Sequence, residues 1–209
     1  EILRSWFTSA EKMRVPRYGR GIHALPNANE RELFDEASEA FIRGDRLQGY
    51  ECFLTSLVHQ ENTSAAPHLS IEREEETIRF RLMQGSALIQ GIITPESLEA
   101  HADIAASDKL HVAIKRRFLE RNFQLTYARF SNANGVIRLS IRLDNATITP
   151  QKIFFPLREI ALNADFEKEF IAAEFDESIL LEYDHLVPLD PEKIRRLHAT
   201  MQEWIRKTK

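Results

Sequence analysis

A single cysteine, Cys52, stands among 209 residues. One thiol excludes an intramolecular disulfide and any cysteine-based zinc site, and it points to a reducing compartment, the cytoplasm. Glycine is scarce as well: seven residues are too few and too scattered to cradle a phosphate with backbone amides. No Walker-type loop, dinucleotide fingerprint, HExxH or GxSxG motif occurs, so the chemistries those motifs carry are not expected. No apolar run approaches the roughly 18–20 residues of a membrane span, and no membrane partner is expected. The first residues, "EILRSWFTSAEKM", mix charge with aromatics and lack the clean apolar stretch of a signal peptide.

What is present is ordinary for a soluble domain: 43% hydrophobic and 29% charged residues. The formal net charge of −4 argues against a polyanion binder. Residues 1–29, rich in Pro, Gly and Asn, read as an arm or linker. Residues 30–66 read as a helical hairpin, with Phe34, Phe41, Tyr50, Phe53 and Leu57 at helical spacing on either side of a stop at Gly44. Cys52 falls on its second helix and reads as a buried, inert thiol.

Residues 67–175 read as an α+β core. "HLSIER", "TIRFRLM" and "SALIQGII" read as three strands, the first two by alternation and the third as an apolar central strand. "TPESLEAHADIAASD" reads as a short helix, with Thr94 as N-cap and Pro95 at its first position. "DKLHVAIKRRFLERN" reads as a helix from Asp108, its apolar face formed by Leu110, Val112, Ile114, Phe118 and Leu119. "FQLTYARF" and "VIRLSIRL" read as two strands around an Asn132-Ala133-Asn134-Gly135 turn. Pro150 opens a helix reaching to about Phe170, with Pro156 marking either its start or a kink. Residues 176–209 read as a loop and a final helix from Pro191. The expected fold is α+β: a mostly antiparallel sheet of about five strands, helices packed on one face, and helical extensions at both ends.

Candidate functional residues are few. None of the seven histidines forms a metal-type i, i+4 pair, and neither a metal nor a cofactor is expected. Glu182, Asp184 and His185 lie together in "LLEYDHL", a carboxylate–imidazole set with no nucleophile beside it. The arginines are more informative. Arg79 and Arg81 project from one strand face, Arg138 and Arg142 from another. In one sheet, four guanidinium groups would share a surface. Either they pair with Glu72, Glu74 and Glu76 and keep the sheet solvated, or they grip a partner. The helix face bearing Phe118 is a second contact candidate.

The stretch "RRFLERNFQLTYARFSNANGVIRLSIRL", with Leu119, Asn122, Gly135, Ile137 and Leu139, and the later "LREIALNAD" resemble the type III secretion chaperone-like fold, including the YbjN-like proteins. The resemblance covers about residues 67–175. It implies a dimerising, non-enzymatic, chaperone- or adaptor-like protein that binds an extended segment of another polypeptide. The chain departs from that pattern in its N-terminal arm and hairpin and its C-terminal helix, and the secretion chaperones are usually shorter and more acidic. Two alternatives stand beside this reading. One is a small-molecule-binding or enzymatic domain with a pocket between sheet and helices, involving His111 or His185. The other is a regulatory nucleic-acid binder, disfavoured by the net acidity and by the opposite facing of Tyr127 and Phe130 along their strand.

Overall fold

A computed structural model describes residues 28–57, 68–175, 179–181 and 191–207. The arm expected at 1–29 lies almost wholly outside them. Helices α1 (Ala28–Arg43) and α2 (Arg46–Ser56) form the expected hairpin. The Asp45 carboxylate accepts the Gln48 amide at 3.2 Å and so caps α2. Phe34 meets Phe53, and Phe41 meets Tyr50 edge-on at 5.2 Å. The buried Tyr50 hydroxyl donates to Asn145 Oδ1, just beyond the last strand, which ties the hairpin to the sheet. Burial pushes the Tyr50 phenol pKa well up, against the opposing pull of Arg46.

Six antiparallel strands follow in the spatial order β1-β2-β3-β4-β6-β5: β1 (Leu69–Glu74), β2 (Thr77–Gln84), β3 (Ala87–Ile93), β4 (Ser97–Ala106), β5 (Arg129–Ala133) and β6 (Val136–Asp144). This is the expected α+β fold with its mostly antiparallel sheet of about five strands, β4 making the sixth. β4 occupies the segment that reads as a helix, and it sits between β3 and β6. The Thr94 hydroxyl does accept the amides of Glu96 and Ser97, but it closes a turn rather than opening a helix. From there Leu98, Ala100, Ala102 and Ile104 are buried while Glu99, His101 and Asp103 point the other way, the two-residue period of a strand. Gly91 in β3 lies opposite Phe80. A Cβ there would fall 2.2 Å from the Phe80 ring, so the ring lies across the glycine.

Asn134 and Gly135 (φ +53° and +83°) form the two-residue turn between β5 and β6. Positive φ at both positions is the type I′ pattern that Asn-Gly favours. The preceding strand is shorter than expected. Residues 123–128 are not extended, because the Glu159 carboxylate gathers the consecutive amides of Thr126, Tyr127 and Ala128 at 2.7–2.8 Å. Three successive N–H groups converge on one acceptor only where the chain curls, since a strand points them alternately to opposite sides. Asn122 uses its amide side chain to bond both the N–H and the C=O of Phe130, occupying part of the outer edge of β5.

Helix α3 (Val112–Arg121) follows a 3-10 turn at Ser107–Lys109, so it starts four residues later than expected. Ile114 and Phe118 are buried, but Val112 and Leu119 are 71% and 64% exposed. The expected apolar face was too wide: residues 112 and 119 fall on the side of the helix away from 114 and 118. Helix α4 (Pro150–Glu174) runs through Pro156, which stays buried inside it, and continues past Phe170. Ile153, Leu157, Ile160, Ala161 and Ala164 of α4 are fully buried and lie in one apolar cluster with Ile89, Leu98 and Leu139 of the sheet. The hairpin residues Tyr50, Phe53 and Leu54 join the same cluster. Helix α5 (Pro191–Lys207) starts where expected.

Candidate functional site

Strand register decides which side chains share a face. On β2, Ile78, Phe80 and Leu82 are buried while Arg79 and Arg81 are exposed. On β6, Ile137, Leu139 and Ile141 are buried while Arg138 and Arg142 lie on the other face. The pairings connect these strands row by row. Glu72 faces Arg79, Arg79 faces Ile92, Ile92 faces Glu99, and Glu99 faces Arg142. In the next row Ser70, Arg81, Gln90, His101, Ser140 and Arg129 are successive neighbours. All four expected arginines therefore project from one face of one sheet, the face opposite α4. β2 and β6 are three strand spacings apart, about 14 Å.

The arginines are not equivalent. Arg138 makes a two-pronged contact with Asp103, at 2.6 and 3.0 Å. Arg142 lies 2.7 Å from Glu99, and Arg79 a loose 3.6 Å from Glu74. Arg81 is exposed and has no ion-pair partner among the described residues. The pairing thus comes mostly from β4, through Glu99 and Asp103, and not from Glu72 or Glu76. The Arg142–Glu99 and Arg79–Glu74 pairs are exposed and contribute at most about 1 kcal/mol each, so a partner could displace them readily.

Between Ser70, Arg81, Gln90, His101 and Arg138 the twisted face forms an open trough of about 470 Å³. His101 sits half-buried near its centre. Burial first, and the Arg138 guanidinium second, lower its pKa from the ordinary histidine value, while Asp103 pulls the other way. The ring is thereby kept neutral to lower pH than a free histidine. In the unfolded chain His101 takes up a proton near about pH 6.5, and in the folded chain only below that. Over this window the unfolded state holds more protons, so stability is full above the unfolded value and falls as pH drops toward the folded one. Thermal unfolding followed between neutral pH and about pH 5 is expected to show a shallower loss of stability for His101→Gln than for the wild type. Identical slopes would contradict this.

Phe118 is not on this surface. It is 2% exposed and stacks on Phe130 at 4.7 Å inside the core, so the helix face it marks is already covered by this chain. His111 is exposed at the N-terminus of α3, and His185, Glu182 and Asp184 lie outside the described residues. No group of three or more His, Cys, Asp or Glu side chains placed to hold a metal ion occurs among the described residues. The sequence reading missed the polar side chains of β4, namely Glu99, His101 and Asp103, because it took their strand for a helix. Their alternation with Leu98, Ala100 and Ala102 was the available signal.

No helix among the described residues is long and apolar enough to cross a membrane. No protein-family model matches the chain, and no curated protein matches it. Among solved structures, one titled "Crystal Structure of the ExsC-ExsE Complex" aligns at 18% identity over 48% of this chain and 74% of that chain, with a TM-score of 0.31. A likeness that weak identifies neither a family nor a function.

Proposed function

We propose that this chain is a non-enzymatic protein-binding, adaptor-like module whose contact surface is the open face of the sheet. The observation that supports it most is the placing of Arg79, Arg81, Arg138 and Arg142 on one solvent-facing side, with Arg81 left without a carboxylate among the described residues. Guanidinium groups suit such work because their planar fork matches a partner's carboxylates and also stacks on aromatic rings. The opposite face gives less room for the small-molecule alternative. There Ile89, Leu98, Leu139, Leu157 and Ile160 fill the space between sheet and helix α4 with no exposed surface.

The test compares full-length wild type with the double variant Arg79→Glu, Arg81→Glu as baits in the native cell. Proteins recovered in stoichiometric amounts with the wild type are expected to drop at least about tenfold with the variant, at an unchanged unfolding midpoint. Equal recovery on both baits would remove the sheet face from the proposal. Self-association is part of the same reading. Light scattering is expected to give twice the 24.2 kDa chain mass, and a clean monomer at high concentration would exclude the homodimer.

A further inference from the structure

The rows of the open face differ in charge. One row carries Glu72, Arg79, Ile92, Glu99 and Arg142, so that acids stand among its bases. On the other side of the trough Asp103 faces Arg138. The row between them runs across all six strands as Ser70, Arg81, Gln90, His101, Ser140 and Arg129, and none of these six side chains is acidic. Arg81 and His101 stand on either side of Gln90, two strand spacings or about 10 Å apart. Ser70 and Arg81 are exposed. The charged lining of the trough is Arg79, Arg81 and Arg138 against Glu72 and Glu99, an excess of one positive charge.

Resting on the sheet-face reading, we infer that the middle of this row seats a single carboxylate, the Asp or Glu side chain of another polypeptide, with Arg81 as its main holder and Ser70 and His101 beside it. The Arg81 fork matches a carboxylate, and one such group neutralises the one excess charge of the lining. A nucleic acid fits poorly, because its regularly spaced phosphates would meet Glu72, Glu99 and Asp103 in the adjoining rows. A second copy of this chain offers carboxylates on the exposed side of α1, namely Glu32, Asp35, Glu36 and Glu39. But α1 packs against α4, behind the sheet. That contact would join the front of one copy to the back of the next, which propagates instead of closing a dimer. His101 gives the seat a dependence on pH. It faces Gln90 of β3 and Ser140 of β6, with Glu99 and Asp103 along its own strand and Arg138 and Arg142 diagonally across. Burial and Arg138 keep its ring neutral near pH 7. A carboxylate seated beside it favours the protonated ring, so binding takes up a proton and tightens as pH falls.

The test selects random dodecapeptides displayed on phage against the full chain and measures the winners, dye-labelled, by fluorescence polarisation. Selected sequences are expected to be enriched in Asp and Glu. Changing the seated acid to its amide, or Arg81→Gln in the protein, should each weaken binding at least about tenfold, with the unfolding midpoint of the protein unchanged. A peptide with lysine in place of the acid should bind Arg81→Glu better than it binds the wild type. Affinity should rise between about pH 7.5 and about pH 6 in the wild type and stay flat in His101→Gln. Winners without acids that lose binding to Arg79→Glu, Arg81→Glu would overturn the carboxylate seat and leave the sheet-face reading standing. Winners bound equally by that double variant would overturn both. Displacement of the peptide by a single-stranded RNA oligonucleotide at lower concentration than by the unlabelled peptide would make the row a nucleic-acid site instead. Light scattering that shows assemblies growing with concentration, abolished by Glu32→Gln, Glu36→Gln, would give the seat to a second copy and overturn the inference as well.

Discussion

Glu167→Ala is expected to lower the free energy of unfolding by about 3–5 kcal/mol, read from urea denaturation. The Glu167 side chain, on α4, is fully buried, and two arginines of α3 hold it. Arg117 donates to both carboxylate oxygens, at 2.9 and 3.1 Å, and Arg121 Nε lies 3.1 Å from Oε1. Arg117 also lies over the Phe170 ring at 4.1 Å, and Arg121 bonds Asn163. Residues 117 and 121 are one helical turn apart, so a single carboxylate fastens a whole face of α3 to α4. Alanine removes the acceptor and leaves two cations against apolar surface. Both guanidinium groups are partly exposed and can turn toward water, which places the effect nearer the lower figure. The loss is local as well as global: amides of α3 should exchange with solvent faster than those of β3 and β4. A change below about 1 kcal/mol would place the pair among exposed pairs of little consequence and would contradict this account of how α3 is held.

That clamp also marks where sequence reading reached its limit. Arg117 and Arg121 are legible as one side of a helix, but their partner is about fifty residues away, and no local pattern announces it. The same holds for Glu159, which curls residues 126–128, and for Asn122, whose amide occupies the edge of β5 at Phe130. Where local signals agreed, the reading held. The alternation of "TIRFRLM" and "VIRLSIRL" matches the burial of β2 and β6, and Asn134-Gly135 makes the turn its residues favour. Where one local signal was shared by two structures, the reading failed. Thr-Pro before polar residues opens a helix or closes a turn with the same hydroxyl-to-amide bond, and in β4 the turn won because the residues beyond it alternate. That error reached the candidate site. β4 joins the Arg79–Arg81 strand group to the Arg138–Arg142 strand, so whether the four arginines share a face depended on the strand that was missed.

Gly85→Ala should cost at least about 3 kcal/mol, the larger part of it lost hydrogen bonds to a charged acceptor. Gly85 and Ser86 form the two-residue turn between β2 and β3, where Gln84 pairs with Ala87. Gly85 has φ +53° and Ser86 does not share that sign, the type II′ pattern that reserves its first position for glycine. An alanine there carries backbone strain of about 1–3 kcal/mol. Space is the second cost. A Cβ at Gly85 would fall 2.2 Å from Oδ1 and 2.3 Å from Oδ2 of Asp165 on α4. That carboxylate accepts the Ser86 amide at 2.6 Å and the Ser86 hydroxyl at 2.8 Å, and so locks the turn onto the helix. It cannot yield to the methyl group and keep both bonds. Asp165→Ala separates the two costs, because it removes the obstacle together with the hydrogen bonds. In that background Gly85→Ala should cost only its backbone strain, so the double variant should be more stable than the sum of the single losses by more than about 1 kcal/mol. Strict additivity would mean that the turn and the carboxylate do not compete for one space, and that the β2–β3 turn is held by something other than Asp165.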